Sequence, residues 1–389
     1  MDQVRIGIIG VGNMGSGHAK TITSGQVPDM VLTAIADINP ERRKWAAETY
    51  PDVKVFDDAI TMMESGLVDA VIVATPHYDH PPLVTAALKR DIHVMCEKPA
   101  GVYTKAVAEV NELAKKSKAT YAIMFNQRTN CVYRKMKEII SSGELGSIRR
   151  VNWLITNWFR PQSYYDSGAW RATWAGEGGG VLLNQCPHNL DLFQWLVGMP
   201  VRVRAFTHNG LWHDIEVEDD VTAVLEYPNG ATGVFIATTG EAPGTNRLEI
   251  AAERGRLVYE DGKLNFKRNE IPTAKFCKET KTQFNRPDIW NVDIPVNNDG
   301  SHQHRDIIEN FCNAILKGDA LIAPATEGIR GLELGNAMLL SGLKKKPVEL
   351  PMDAQEFAKI MDKLIAKSRY VKKAVAPSET VDFSKSFQK

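Results

Sequence analysis

The sequence predicts two joined units: an N-terminal α/β unit with a doubly wound parallel sheet, and a C-terminal α+β unit with a mainly antiparallel sheet. Strand and helix patterns alternate strictly up to about residue 125. After about residue 146, strands follow one another directly. At 389 residues the chain exceeds one typical domain, so each unit can hold its own core. The division reads 1–127, 128–373 and a polar tail, 374–389, expected to be extended or weakly ordered.

Residues 4–9 are an apolar strand that runs into Gly10-x-Gly12-x-x-Gly15. A second strand, 31–37, closes on Asp37 and is followed by a helix over 41–49 and a short strand over 53–56. Residues 68–74 are small and β-branched, which suits a strand buried on both faces. The next helix puts Leu83, Val84, Ala87 and Leu88 on one side, and a strand over 92–95 follows. A helix carrying Val107, Val110, Leu113 and Ala114 leads to the last strand of the set, 120–125. In such a sheet, ligands bind at the carboxyl ends of the strands.

The second unit has strands over 147–158, 201–207, 221–227 and 231–239, with further strands over 247–252, 255–259 and 263–268. Tyr227-Pro228-Asn229-Gly230 carries the Asn-Gly signature of a tight hairpin. A helix over 306–316 aligns Ile307, Phe311, Ala314 and Ile315. The second face of an antiparallel sheet can be covered by another subunit, so a homo-oligomer (dimer, tetramer or higher) is expected.

Composition removes several function classes. Lys+Arg and Asp+Glu are both 47, which gives no argument for nucleic acid or an anionic membrane. No apolar run approaches the ~20 residues that span a bilayer. The first strand starts by residue 4, leaving no room for a signal peptide. Five scattered cysteines without C-x-x-C spacing read as reduced thiols of a cytoplasmic protein, with no metal centre. His302-Gln303-His304 could suggest a metal pair, but i, i+2 spacing parts the side chains on a helix and no third ligand is evident.

The opening motif points to a dinucleotide. Its glycines permit a tight turn in which the pyrophosphate meets backbone N–H groups of Gly12, Asn13 and Met14 at a helix N-terminus. Asp37 lies where a carboxylate accepts from the adenosine ribose hydroxyls and repels a 2′-phosphate, favouring NAD. Arg42 and Arg43 follow closely and would offset that repulsion in part.

Cys96-Glu97-Lys98-Pro99 ends the fifth strand, where its charges would lie beside the nicotinamide half; a solvated Glu–Lys pair is the plainer reading of the motif alone. Further on, three glycines at 178–180 lead through Asn184 to Pro187, His188 and Asp191. A helix would put Asn184, His188 and Asp191 on one face, but Pro187 either starts a helix at its first position or kinks one begun near Gly180. In the first case the dipole disfavours an imidazolium at His188 and keeps a neutral base available; a purely structural histidine is the alternative. Residues 153–174 are dense in Trp, Tyr and Arg. Trp153 and Trp158 suit a core, whereas a loop with Arg160, Tyr164, Tyr165 and Trp170 suits a sugar ring, apolar on one face and hydroxylated at its edge.

With Thr75-Pro76, His80 and Trp170-Arg171, these motifs resemble those of the glucose–fructose oxidoreductase / inositol dehydrogenase / MocA (Gfo/Idh/MocA) family over residues 4–350. The resemblance implies a Rossmann domain joined to an α+β domain with a large open sheet. It implies NAD contacts at Thr75, Pro76, His80, Glu97, Lys98, Asn126, Trp170 and Arg171, beside those at Gly10, Gly12, Asn13, Met14, Gly15, Asp37 and Arg42. It also implies that Lys98 holds the reacting oxygen and that His188 exchanges the hydroxyl proton; beside them, the aromatic loop is expected to put Arg160, Tyr164 and Tyr165 on the substrate, with Asn184 orienting it. An aspartate often stands where this chain has Asn184, and an amide can orient a hydroxyl but cannot accept its proton at neutral pH. The expected activity is NAD-dependent oxidation of a secondary ring alcohol in a sugar or glycoside, with C3 of a glucoside leading. Alternatives are an inositol, polyol or anhydrosugar dehydrogenase or reductase, a glycoside-cleaving enzyme using transient C3 oxidation, and a non-catalytic NAD(H) sensor.

Overall fold

A computed structural model describes residues 2–168, 170–296 and 302–372, so the tail at 374–389 lies outside the described residues. Six parallel strands form the first sheet: β1 (Val4–Ile9), β2 (Met30–Ala36), β3 (Lys54–Phe56), β4 (Ala70–Val73), β5 (His93–Cys96) and β6 (Tyr121–Ile123). Their order is β3-β2-β1-β4-β5-β6, the doubly wound arrangement the sequence predicts. β4 is buried along its whole length, which is why its side chains are apolar without alternation. The winding reverses between β1 and β4, and that switch point opens the crevice where ligands bind.

The second sheet has nine strands: β7 (Ile148–Ile155), β8 (Arg202–Asn209), β9 (Glu218–Glu226), β10 (Thr232–Thr238), β11 (Asn246–Ala252), β12 (Gly255–Glu260), β13 (Lys263–Asn269), β14 (Ile289–Val292) and β15 (Val348–Glu349). Their order is β14-β13-β12-β11-β7-β10-β9-β8-β15; β7 and β10 run parallel, and the other pairings are antiparallel. The β9–β10 hairpin turns at Tyr227–Gly230, with Gly230 at a φ of 82° donating to the Tyr227 carbonyl. Helices Cys131–Ser141, Pro187–Val197, Gly328–Lys344 and Ala354–Lys367 share the core of this sheet through Met136, Phe193, Met338 and Phe357.

Two features lock the units together. Helix His304–Lys317 lies late in the chain but packs Ile307, Ile308 and Phe311 into the core of the first sheet. Arg128, just past β6, makes a buried bidentate pair with Asp191 at 2.7 and 2.8 Å and reaches Glu327 at 2.7 Å. Breaking such a buried pair from one side leaves an uncompensated charge, so the contact fixes the helix that carries His188 relative to the first sheet.

Candidate active site

A cleft of about 760 Å³ lies at the carboxyl ends of β1, β2, β4 and β5, beneath the loop that carries Trp158, Arg160, Tyr164 and Trp170. Its size is that of ligand sites in general. On one side it is made of backbone. Gly10 turns at a φ of 85°, and a Cβ on Gly15 would stand 1.9 Å from the Gly10 carbonyl oxygen, so helix Asn13–Thr23 can begin directly against the turn only with glycine there. Gly12 caps that helix with no side-chain bond, and a Cβ on it would meet nothing within 4 Å. Open space before uncapped helical N–H groups fits a pyrophosphate. Asp37 accepts from the amides of Val11 and Asn39, each at 2.8 Å, which aims its carboxylate into the cleft. Arg42 donates to the Val11 carbonyl, and Arg43 is turned onto the carbonyls of Asp37 and Ile38 at 2.9 Å.

Of the residues expected on NAD, Asn13, Met14, Thr75, Pro76, Glu97, Lys98, Trp170 and Arg171 line the cleft, and Gly15, His80 and Asn126 do not. Gly15 acts by close packing. His80, fully buried, puts Nδ1 2.7 Å from the Pro99 carbonyl and Nε2 2.8 Å from that of Thr75, so it clamps the two loops from behind. Asn126 is buried and donates to Gln303 at 2.9 Å.

On the other side, side chains from distant segments converge. Lys98 donates from Nζ to the Asn184 carbonyl at 3.2 Å. Burial lowers its ammonium pKa, against the pull of the neighbouring Glu97. Burial alone would raise Glu97, but the bond from His18 at 2.7 Å and the nearby cations bring its carboxyl down to about 2. Helix Pro187–Val197 starts with proline in its first turn, so His188 does lie at a helix N-terminus. Asn184 sits in the preceding turn, and Asp191 faces Arg128 and not the cleft, so the three share no helical face. Burial, then Lys98, pushes the His188 imidazole down to about 3; among the described residues its buried Nδ1 has no hydrogen-bond partner.

The aromatic loop divides. Tyr164 lines the cleft; its hydroxyl accepts from Arg171 at 2.7 Å and donates to Asn184 Oδ1 at 3.3 Å. The Arg171 guanidinium lies 4.5 Å over the Tyr164 ring and 4.6 Å over Trp170. Tyr165, expected on the substrate, is 3% exposed, bonded to Thr239 at 2.7 Å and outside the cleft lining, so it belongs to the core. Adjacent residues of a short helix, Gln162–Asp166, cannot point the same way.

Sequence reasoning missed His77, Gln185 and His304, which all line the cleft. His304 opens helix His304–Lys317 next to His18, with ring centroids 6.0 Å apart. Only long-range packing brings it there; the His302-Gln303-His304 spacing was the local signal. Among the described residues no group of three or more His, Cys, Asp or Glu could hold a metal ion.

Residues 4–125 match the family model described as an oxidoreductase family with an NAD-binding Rossmann fold, and residues 133–258 match the GFO/IDH/MocA C-terminal domain. The myo-inositol 2-dehydrogenase of Thermotoga maritima is 28% identical over 264 residues, 66% of this chain and 75% of that one. The inositol 2-dehydrogenase of Rhizobium meliloti is 24% identical over 353 residues, 89% of this chain and 99% of that one. The crystal structure of the WlbA dehydrogenase from Chromobacterium violaceum, in complex with NADH and UDP-GlcNAcA, superposes with a TM-score of 0.79 at 26% identity, covering 91% of this chain and 97% of that chain.

Proposed function

Since this chain belongs to the Gfo/Idh/MocA oxidoreductase family and is an NAD-binding oxidoreductase, we propose that it oxidises a secondary ring alcohol of a sugar or glycoside, with C3 of a glucoside as the leading position. The observation that carries this reading is the meeting of Lys98, Asn184 and His188 in a cleft that also holds the glycine-rich turn. Bound NAD supplies the acceptor for the hydride that leaves the alcohol carbon. The neutral His188 imidazole takes the hydroxyl proton. Lys98 stabilises the developing alkoxide, and Asn184 orients the hydroxyl without accepting its proton.

The ring-alcohol reading draws on Trp158, Tyr164 and Trp170 beside Arg160 and Arg171, a surface suited to a pyranose and its substituent. A glycoside keeps C1 linked while a ring carbon is oxidised. The inositol dehydrogenases among the relatives favour an inositol as the second reading. Homo-oligomerisation accompanies the proposal, because Phe206 and Val224 are exposed on the face of the second sheet opposite its core. Among the described residues no helix is long and apolar enough to cross a membrane, and we assign the protein to the cytoplasm.

The test is incubation with NAD and glucose, methyl and aryl glucosides, anhydrosugars or myo-inositol, with products located by NMR. Glucosides are expected to give 3-keto products. Exclusive activity on inositols or acyclic polyols would overturn the glycoside reading. Aglycone release would move the chemistry to elimination after transient oxidation. NAD(H) binding with no turnover of any carbohydrate would leave a sensor.

A further inference from the structure

We propose that Glu177 is a positioning residue of the active site, whose carboxylate fixes the orientation of the Asn184 carboxamide and the course of the chain at Arg171. The inference rests on the reading of Lys98, Asn184 and His188 as the reacting set. Glu177 is 1% exposed and immediately precedes the glycines at 178–180. One carboxylate oxygen accepts from Asn184 Nδ2 and the other from the Ala172 amide at 2.6 Å. The bonds leading to this carboxylate run in one direction: Arg171 and Gln185 donate to the Tyr164 hydroxyl, Tyr164 donates to Asn184 Oδ1, and Asn184 donates to Glu177. With a donor facing Oδ1 and a carboxylate facing Nδ2, the amide cannot flip, and a second Nδ2 hydrogen remains for a hydroxyl in the cleft that Asn184 lines.

Ala172 has a φ of 61°, a conformation uncommon for a side chain with a Cβ, and its amide bond to Glu177 holds it there. Arg171 is its neighbour in sequence, so one buried carboxylate spans the cationic and amide parts of the site. Its charge is faced by Arg171, Lys372 and Lys98 and opposed by burial, which raises its pKa. An aspartate at position 184 would set two carboxylates against each other, whereas exchanging the carboxylate and the amide between the two positions would keep one of each.

The experiment is a cycle of Glu177→Gln, Asn184→Asp and the double variant, read by kcat and KM on the best substrate of the carbohydrate panel, by NADH binding and by thermal melting. Each single variant is expected to lower kcat by roughly 10²-fold, the cost of a misplaced reacting group, with NADH affinity falling much less. The double variant should recover kcat to within about tenfold of the wild type and regain the melting temperature lost by Asn184→Asp, a positive coupling between contacting residues. A double variant no better than the worse single in both kcat and melting would overturn the inference. The melting cycle reports on the pairing without any substrate, whereas full activity in Lys98→Ala and His188→Ala would overturn the underlying reading instead.

Discussion

The two sides of the cleft are built from different materials. The cofactor side is mostly main chain: a turn whose shape depends on glycine at positions 10 and 15, an uncapped helix end, and Asp37 held by two backbone amides. The side we assign to the substrate consists of side chains from the loop after β5, the loop around Tyr164 and the start of helix Pro187–Val197, joined by the bonds that run from Arg171 to Glu177. A site of the first kind is sensitive to added volume and indifferent to most side chains. One of the second kind is sensitive to each donor and acceptor, and can change substrate by changing a few of them.

Substitutions on the substrate side should give the largest effects. Lys98→Ala and His188→Ala are each expected to lower kcat by roughly 10²–10⁴-fold, the scale of a lost oxyanion or acid–base group, while NADH affinity, read by titration, falls much less. Near-wild-type turnover in either folded variant would remove the assigned role. On the cofactor side, Gly15→Ala should cost about 1–3 kcal/mol of folding stability, read by denaturant titration, because its Cβ would stand 1.9 Å from the Gly10 oxygen. Gly12→Ala should leave the melting temperature unchanged and raise the KM for NAD, since its Cβ would project only into the open cleft.

The pH profile separates the sides further. A pKa pushed down to about 3 keeps His188 neutral as pH falls through 6.5, so log(kcat/KM) for oxidation should show no histidine-type loss there. Lys98 is one cause of that depression, so in Lys98→Met the pKa rises and any residual activity should be lost at higher pH than in the wild type. The smallest effects distinguish the paired tyrosines. Tyr164→Phe should raise substrate KM severalfold, whereas Tyr165→Phe should cost about 1 kcal/mol of stability for its lost bond to Thr239 and leave KM alone.

This division also decided what was legible in the sequence. The glycine-rich turn, Asp37 and the parallel sheet follow from contiguous patterns, because the chemistry sits in local backbone. Lys98 and His188 lie in short motifs at strand and helix ends that read alone as a solvated pair and a structural histidine, and only the combination of motifs brought them forward as candidates. His304 was not found, since it reaches the cleft from a segment far away in the chain. Nor was the clamp role of His80, whose two partner loops meet only once β4 and β5 lie side by side. Helix Gly328–Lys344 was hidden for a related reason. It carries glycines at 328, 331, 335 and 342, which local propensity counts against a helix. Packing accounts for some of them: a Cβ on Gly342 would stand 2.0 Å from Thr207 Oγ1, and one on Gly331 only 3.1 Å from the Asp191 amide.

Hydride transfer from a sugar ring carbon can be followed with a glucoside deuterated only at C3. Wild-type enzyme, NAD and the labelled glucoside should give reduced cofactor that carries the deuterium, at a rate slowed by a primary isotope effect, together with a 3-keto product. Reduced cofactor formed from the glucoside without deuterium would place the oxidation at another carbon. Failure of any glucoside to reduce the cofactor, with myo-inositol doing so, would contradict the account of the substrate side while leaving the cofactor side as described.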